Sequence, residues 1–180
     1  MKFAPQALVV ALAASAQAAV IEVRDLATVR GVIAQVQTGT DNLDAVAKAF
    51  NGDTAPVISS SNALITTINN GKTTVQGSSN LSYGDTISLI SNVQELKKHA
   101  QTLSDDFKAS RDKVQQAKAC DITRTQIGSI KTAAQALIAA IVSKVPDNAK
   151  SIANDQASQI TAVLQEAENN FSTTNCVNAP

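Results

Sequence analysis

Apolar and small residues recur at alternating steps of three and four along most of this 180-residue chain. The first such run consists of Leu26, Val29, Ile33, Val36, Thr40, Leu43, Ala47 and Phe50. Steps of three and four place side chains on one face of an α-helix, whereas a half-buried strand requires strict alternation of apolar and polar residues. The spacing therefore predicts amphipathic helices, each with one face turned toward a common core.

Breaks in this spacing divide the chain into five predicted helices. The turn Asn51-Gly52-Asp53 ends the first helix, and Pro56 suits the first turn of the second. Ser82 or Asp85 caps the third helix, which is the longest. Val145-Pro146-Asp147-Asn148 separates the last two, because proline cannot continue the helical hydrogen bonds. The predicted helices cover about residues 26–50, 54–76, 82–117, 121–145 and 147–171.

The connections between these helices are short, which favours antiparallel neighbours. Few glycines and few aromatic residues argue against a β-sandwich, which needs turn residues about every 8–12 positions. The predicted fold class is all-α, a single bundle of about five amphipathic, largely antiparallel helices.

The N-terminal sequence MKFAPQALVVALAASAQAAVIEVRD has the order of features found in a secretory signal peptide. Lys2 gives a positive start, Ala7–Ala14 form an apolar run, and Ala16-Gln17-Ala18 matches the A-x-A cleavage pattern. A transmembrane helix would need about 20 apolar residues, and this run is shorter. An ordinary buried first helix is the alternative. We interpret residues 1–18 as a signal peptide, cleaved after Ala18 or the neighbouring Ala19, and residues 19–180 as one secreted domain with no transmembrane segment.

The chain has two cysteines, Cys120 and Cys176. In an oxidising compartment an even number of cysteines favours a disulfide over a catalytic thiol. Cys120 precedes the fourth predicted helix and Cys176 follows the fifth, so an antiparallel hairpin of these helices brings both to its open end. We predict a disulfide between them, from the end of the fifth helix to the start of the fourth. Closing a loop of this length adds about 4 kcal/mol of stability in the chain-entropy model.

Acidic and basic residues balance, with 15 of each. Loss of Lys2 with the signal peptide would leave 14 basic residues against 15 acidic ones, a formal charge of −1. A nucleic-acid-binding protein needs a concentrated basic face, and single-strand binding relies on aromatic stacking platforms. Because the chain has no tryptophan and one tyrosine, we predict no nucleic-acid partner.

Motifs of catalytic sites are missing from the sequence, which has no G-x-S-x-G elbow, phosphate-binding loop or H-E-x-x-H. His99, the one histidine, follows two lysines, so we interpret it as a solvated surface residue. Asp105-Asp106 and the pair Glu166 and Glu168 suit solvated helix faces. A zinc site would need more cysteine or histidine ligands. We predict no catalytic residue, no metal and no cofactor, and a hydrolase is the weakest functional hypothesis.

Two sequons match the N-x-[ST] pattern for N-glycosylation, Asn80-Leu81-Ser82 and Asn170-Phe171-Ser172. Asn80 falls in a predicted loop and is the better candidate. Asn170 falls in the last helical turn, close to Cys176, where modification is less favoured.

Three segments resemble the hydrophobic surface-binding protein A family of fungi, which also contains the lipid-binding domains of cell-wall galactomannoproteins. They are VIEVRDLATVRGVIAQVQTGTDNLDAVAKAFNG, NLSYGDTISLISNVQ and IGSIKTAAQALIAAIVSKVPDNAKSIANDQ. The resemblance extends from about Val23 to Phe171 and lies in patterning and helix order. It implies a helical bundle that holds a fatty acid or similar lipid between its helices, or that adsorbs to hydrophobic solids, with no catalytic residues.

One departure from the family concerns attachment to the cell wall. Wall-anchored relatives have a long Ser/Thr-rich tail and a lipid-anchor signal, whereas this sequence stops at NCVNAP. We therefore expect a freely secreted form, in which association with the cell wall would not be covalent.

If the bundle has a cavity, its lining should come from the inward faces of the helices. The candidate lining residues are Val36, Leu43, Leu64, Ile68, Ile90, Leu103, Phe107, Ile130, Leu137, Ile141, Ile160 and Leu164. Rows of alanine, serine and threonine between them could leave space for a lipid, but small residues also indicate close helix packing. Both interpretations stay open from the sequence alone.

The leading hypothesis is a secreted, non-enzymatic protein that binds fatty acids or other lipids, or adsorbs to hydrophobic solid surfaces. Adsorption would require the amphipathic helices to exchange core contacts for an oily interface. A recruited secreted hydrolase or a wall polysaccharide is a further partner to consider. The alternative is a secreted effector or wall mannoprotein that recognises another macromolecule and has no lipid ligand.

Overall fold

The computed structural model describes the backbone of residues 8–180 and the side chains of residues 25–180. The α-helices of this part of the chain are α1 Leu8–Lys48, α2 Ala55–Gln76, α3 Tyr83–Ala109, α4 Arg111–Gln116, α5 Cys120–Lys144 and α6 Lys150–Asn170. A 3-10 turn at Asp147–Ala149 precedes α6, and the described residues form no strand. The predicted all-α class is confirmed. The predicted signal peptide, residues 1–18, lies outside the residues whose side chains are described, and its cleavage stays a prediction.

Local signals at three helix ends appear as predicted. Ser82 caps α3: its Oγ accepts from the Asp85 backbone N–H at 3.1 Å, and the Asp85 carboxylate accepts from the Ser82 N–H at 3.0 Å. This reciprocal pair is a capping box. Pro56 lies in the first turn of α2. The backbone leaves the helical conformation at Val145, before Pro146.

The third predicted helix is wrong at its C-terminal end, because it breaks at Ser110 instead of continuing to Ala117. The Ser110 N–H bonds the carbonyl oxygens of Asp106 and Phe107, and its hydroxyl donates to the Ala47 carbonyl of α1 at 3.4 Å. Helix α3 thus ends at a serine that contacts α1, and α4 follows from Arg111. The apolar spacing does not reveal this break because Val114 of α4 is also buried.

The five long helices form a closed ring in the order α1, α2, α5, α6, α3 and back to α1. Helices α2 and α5 run parallel, since the Lys144 ammonium at the C-terminal end of α5 donates to the Gln76 carbonyl at the C-terminal end of α2. The antiparallel prediction holds for α1 with α2 and for α5 with α6. Helices α1 and α3 instead run parallel: Arg30 donates to the Ser88 carbonyl near their N-terminal ends, and Ala47 accepts from Ser110 at their C-terminal ends.

Helices α3 and α6 also run parallel. The Lys97 ammonium donates to the Gln159 side chain at 2.9 Å, and the Gln101 amide donates to Glu166 at 3.3 Å. No short connection joins α3 to α1 or to α6, so the rule that predicts antiparallel hairpins does not apply to these two pairs.

Small residues bring α1 and α2 into close contact. A Cβ added to Gly71 would lie 2.6 Å from Val32 Cγ1, and one added to Gly39 would lie 2.9 Å from Leu64 Cδ1. A side chain at Gly71 would displace Val32, and one at Gly39 would require the end of the Leu64 side chain to shift. Of the two interpretations left open by the sequence, close packing is correct on this side of the ring.

The predicted disulfide between Cys120 and Cys176 is confirmed, with Cα atoms 5.6 Å apart and both residues buried. It joins the first residue of α5 to the segment that follows α6. The Arg124 guanidinium strengthens the same junction by donating to the carbonyl oxygens of Phe171 at 2.8 Å and Cys176 at 3.2 Å. We call this end of the ring the disulfide end and the opposite end, at Val145 and the start of α3, the loop end.

Candidate functional site

An elongated apolar cavity of about 170 Å³ occupies the centre of the ring, measured as the space open to the centre of a water molecule. One water needs about 10–15 Å³ on this measure, so the cavity is roughly ten times larger than a single-water void. All five long helices contribute to its wall. On α3 the wall extends from Thr86 to Phe107, which corresponds to about 30 Å at 1.5 Å per residue.

The twelve residues proposed from the sequence as ligand lining all lie on this wall. They are Val36 and Leu43 of α1, Leu64 and Ile68 of α2, Ile90, Leu103 and Phe107 of α3, Ile130, Leu137 and Ile141 of α5, and Ile160 and Leu164 of α6. Their position at the cavity is a structural observation, and their contact with a ligand stays a prediction.

Sequence reasoning missed more than half of the wall, 19 of its 31 residues. Four pairs of consecutive apolar residues line the cavity with both members: Leu89-Ile90, Leu137-Ile138, Ile141-Val142 and Val163-Leu164. Consecutive residues are about 100° apart on a helix, so such pairs widen the apolar face beyond the stripe needed for one neighbour. These doublets are a signal that could have indicated the wide faces of α3, α5 and α6.

Phe107 closes the disulfide end of the cavity. Its ring packs edge-on against the buried Phe171, with centroids 6.1 Å apart and planes at 89°. A second, much smaller apolar space of about 20 Å³ lies beyond Phe107, next to Phe50 and Val114. The cavity therefore has an aromatic floor at the end where the disulfide lies.

Polar side chains are sparse on the wall, which contains Thr40, Thr86, Ser104 and Gln156. The Thr40 hydroxyl donates to the Val36 carbonyl at 2.9 Å, and Thr86 donates to Ser82 at 3.0 Å. Among the described residues, no charged side chain lines the cavity. The interior can hold an apolar chain but offers no ion pair to an ionised group.

Helix α6 is the least buried wall of the ring. Its buried residues are Val163 and Asn170, while Ile152, Ile160 and Leu164 are half-buried. Polar contacts on the outer surface fasten it to α5, where the Lys131 ammonium bonds Glu168.

This contact with Lys131 holds the pKa of the Glu168 carboxyl below its usual value. The pair therefore stabilises the fold above the pKa of an unfolded glutamic acid. Its contribution disappears as the pH falls through the lowered pKa of Glu168.

His99 lies away from the cavity and is less exposed than predicted, with 33% of its side chain accessible. Its Nδ1 lies 2.5 Å from the Asp41 carboxylate and its Nε2 lies 3.1 Å from the Gln37 amide nitrogen, so it bridges α1 and α3. Asp106 pairs with Lys48 at 3.2 Å, and Asp105 accepts from Gln101 at 3.1 Å. His99 and Asp106 thus connect α3 to α1 on the outside of the ring, whereas the Asp105 contact lies within α3.

The two sequons differ in accessibility. Asn80 is exposed in the loop between α2 and α3. Asn170 is buried, and its amide nitrogen is buried without a hydrogen-bond acceptor. Only the first amide is open to modification in the folded protein.

Within the described residues, none of the helices combines the length and the hydrophobicity needed to cross a membrane. In this part of the chain, the core apolar side chains are directed toward the interior of the ring. Large hydrophobic side chains that remain exposed are Tyr83, Ile87 and Val177.

Comparison with known proteins supports this architecture. Cell wall mannoprotein 1 of Aspergillus flavus is 35% identical over 136 residues, and cell wall mannoprotein 1 of Aspergillus fumigatus is 35% identical over 137 residues. These stretches are 75% and 76% of this chain, and the chain spans about half the length of these curated relatives, 50% and 48%.

Ligand binding domain 1 of the Penicillium marneffei MP1 protein, solved in complex with arachidonic acids, has a similar fold. The two structures superpose with a TM-score of 0.78 at 20% identity, over 82% of this chain and 99% of that one. Residues 26–143 match the family model described as hydrophobic surface binding protein A. The chain therefore belongs to the hydrophobic surface binding protein A family.

Proposed function

We propose that this protein binds a fatty acid or another single-chain lipid within the ring of five helices. The observation that supports this most is the apolar cavity itself. An empty cavity costs about 24 cal/mol per Å³ of lost packing, or roughly 4 kcal/mol for a volume of this size. That is a large part of the 5–15 kcal/mol stability of a typical domain. An apolar occupant would restore the lost contacts.

The expected affinity follows from the apolar surface that a lipid would bury. A C16 chain has about 15 methylene and methyl groups, each worth about 0.8 kcal/mol on burial, for a gross gain near 12 kcal/mol. Losses of translational and conformational freedom subtract several kcal/mol. The remainder corresponds to micromolar affinity or tighter.

The proposed role is non-enzymatic and extracellular. Among the described residues, the cavity wall has no acid–base pair, and the fold-relative named above is described as a ligand-binding domain. Export is supported by the predicted signal peptide and by the disulfide, because disulfides persist in oxidising compartments. Relatives named cell wall mannoproteins support a location in or near the cell wall.

Adsorption to hydrophobic solids is a second proposed activity, suggested by the family description. Exposed large apolar residues in the described part of the chain are few and scattered, so the closed ring offers little area to an oily surface. Adsorption would therefore require opening of the ring. Helix α6 is the least buried wall, and the disulfide would keep it joined to α5 while this hairpin opens away from the other helices.

Native mass spectrometry of the purified protein tests internal lipid binding. We expect the protein to carry additional mass equal to one or more fatty acids, and organic extraction to remove it. The extracted protein should then take up a fluorescent fatty acid. A protein that is lipid-free as purified and also fails to take up the probe would contradict the proposal. Retention on polystyrene beads measures adsorption separately.

We propose that Asn80 is the glycan acceptor of the secreted protein. Secretion from a fungal host should yield a form whose mass falls on endoglycosidase treatment, and Asn80→Gln should remove this shift completely. Asn170→Gln should leave the shift unchanged, because the Asn170 amide is buried. Persistence of the glycan in Asn80→Gln would refute this assignment.

A further inference from the structure

Ser104 has an unusual environment for a helical serine. It is 3% exposed and lies on the cavity wall, and its buried Oγ has no hydrogen-bond partner. Serine and threonine within helices usually donate to the carbonyl four residues earlier. Thr102 on the same helix does so to Lys98 at 3.1 Å, and the cavity residues Thr40 and Thr86 do so as well.

An unsatisfied buried hydroxyl is costly, about 1–3 kcal/mol in proteins. One other serine, Ser61 on α2, is also buried without a partner, but it does not line the cavity. Of these two hydroxyl groups, only that of Ser104 can form a hydrogen bond with a molecule inside the ring. Rotation about χ1 is a small movement for a serine at the cavity wall.

Ser104 lies near one end of the cavity. It lies one helical turn before Phe107, the floor at the disulfide end. Thr40 of the parallel helix α1 lines the same cavity, and its hydroxyl oxygen keeps lone pairs after donating to Val36. This end of the cavity therefore combines a free donor at Ser104 with an acceptor at Thr40.

We infer that Ser104 binds the polar end group of the lipid, so that the head lies at the disulfide end and the hydrocarbon tail extends toward the loop end. This inference rests on the proposed lipid binding. Within residues 25–180, no charged side chain lines the cavity, and burial of an unpaired ionised group would be prohibitive. The bound end group is therefore uncharged, such as an alcohol or a protonated carboxylic acid.

Competition with a fluorescent fatty acid tests the assignment. The competitors are 1-dodecanol and dodecane, which differ by one hydroxyl group. Wild-type protein should prefer the alcohol, and Ser104→Ala should reduce this preference about three- to tenfold, as expected for one hydrogen bond to a buried group. Affinity for dodecane should stay the same or increase slightly.

Two control variants separate this effect from general changes. Ser88→Ala removes an exposed hydroxyl from the same helix, and Ser61→Ala removes the other unpartnered buried hydroxyl. Both should keep the wild-type preference. An unchanged preference in Ser104→Ala overturns the inference while leaving lipid binding intact. Failure of the wild-type protein to bind any probe would instead refute the proposed function.

Discussion

Replacing both cysteines, as Cys120→Ala/Cys176→Ala, should lower the free energy of unfolding by about 4 kcal/mol. The bridge spans 56 residues, and the chain-entropy model gives this magnitude for a loop of that size. We expect the destabilisation to be largest at the disulfide end, because the bridge ties the segment after α6 to α5 there. Urea denaturation followed by circular dichroism at 222 nm measures the change.

Reductant provides the control for this prediction. It should destabilise the wild-type protein toward the level of the double variant, and it should leave the double variant unchanged. A loss below about 1 kcal/mol would show that Arg124 and the packing of Phe171 hold this end without the bridge.

Filling the cavity should abolish internal lipid binding without weakening the fold. Ala134 of α5 and Ala157 of α6 line the cavity, and Ala134→Phe/Ala157→Phe places two aromatic rings inside it. Exclusion of only four methylene groups from the cavity removes about 3 kcal/mol of binding free energy, so affinity should fall at least a hundredfold. Stability should be equal to or above that of the lipid-free wild type, since cavity filling restores packing contacts. Fluorescent fatty-acid titration and urea denaturation measure the two effects.

Ala139→Phe is the matched control, because Ala139 lies on the exposed face of α5. It should bind the fatty acid as the wild type does. Retained binding in the double variant would mean that lipid associates with the outside of the protein. In the double variant, retention on polystyrene beads should fall less than the affinity for the fatty acid does. Adsorption depends on ring opening and not on cavity volume.

The sequence predicted the inward face of each helix, because burial of one side imposes the spacing of three and four. It also predicted the disulfide, because the order of two helices in a hairpin fixes where their ends meet. The break at Ser110 was not predictable in this way. It coincides with a hydrogen bond from Ser110 to Ala47, a residue 63 positions away, and apolar spacing contains no information on such a contact.

The cavity was likewise not predictable from the sequence, because its presence depends on how the helices are arranged. Gly39 and Gly71 draw α1 against α2, while Ala134 and Ala157 stand at open space, although all four are small residues on inward faces. Only the position of the opposite helix distinguishes these two outcomes. Doublets such as Leu137-Ile138 accompany the wide faces of α3, α5 and α6, but Leu64-Ile65 of α2 is also a doublet and only Leu64 lines the cavity.

The parallel course of α1, α3 and α6 gives the ring an electrical polarity. Three of the five long helices end at the disulfide end and two begin there, so their macrodipoles do not cancel. Each helix terminus is equivalent to about half an elementary charge, which leaves a net partial negative charge near the disulfide end. An ionised carboxylate would thus be repelled from the region of Ser104, whereas a neutral alcohol would not, and the bundle itself would sort amphiphiles by their state of ionisation.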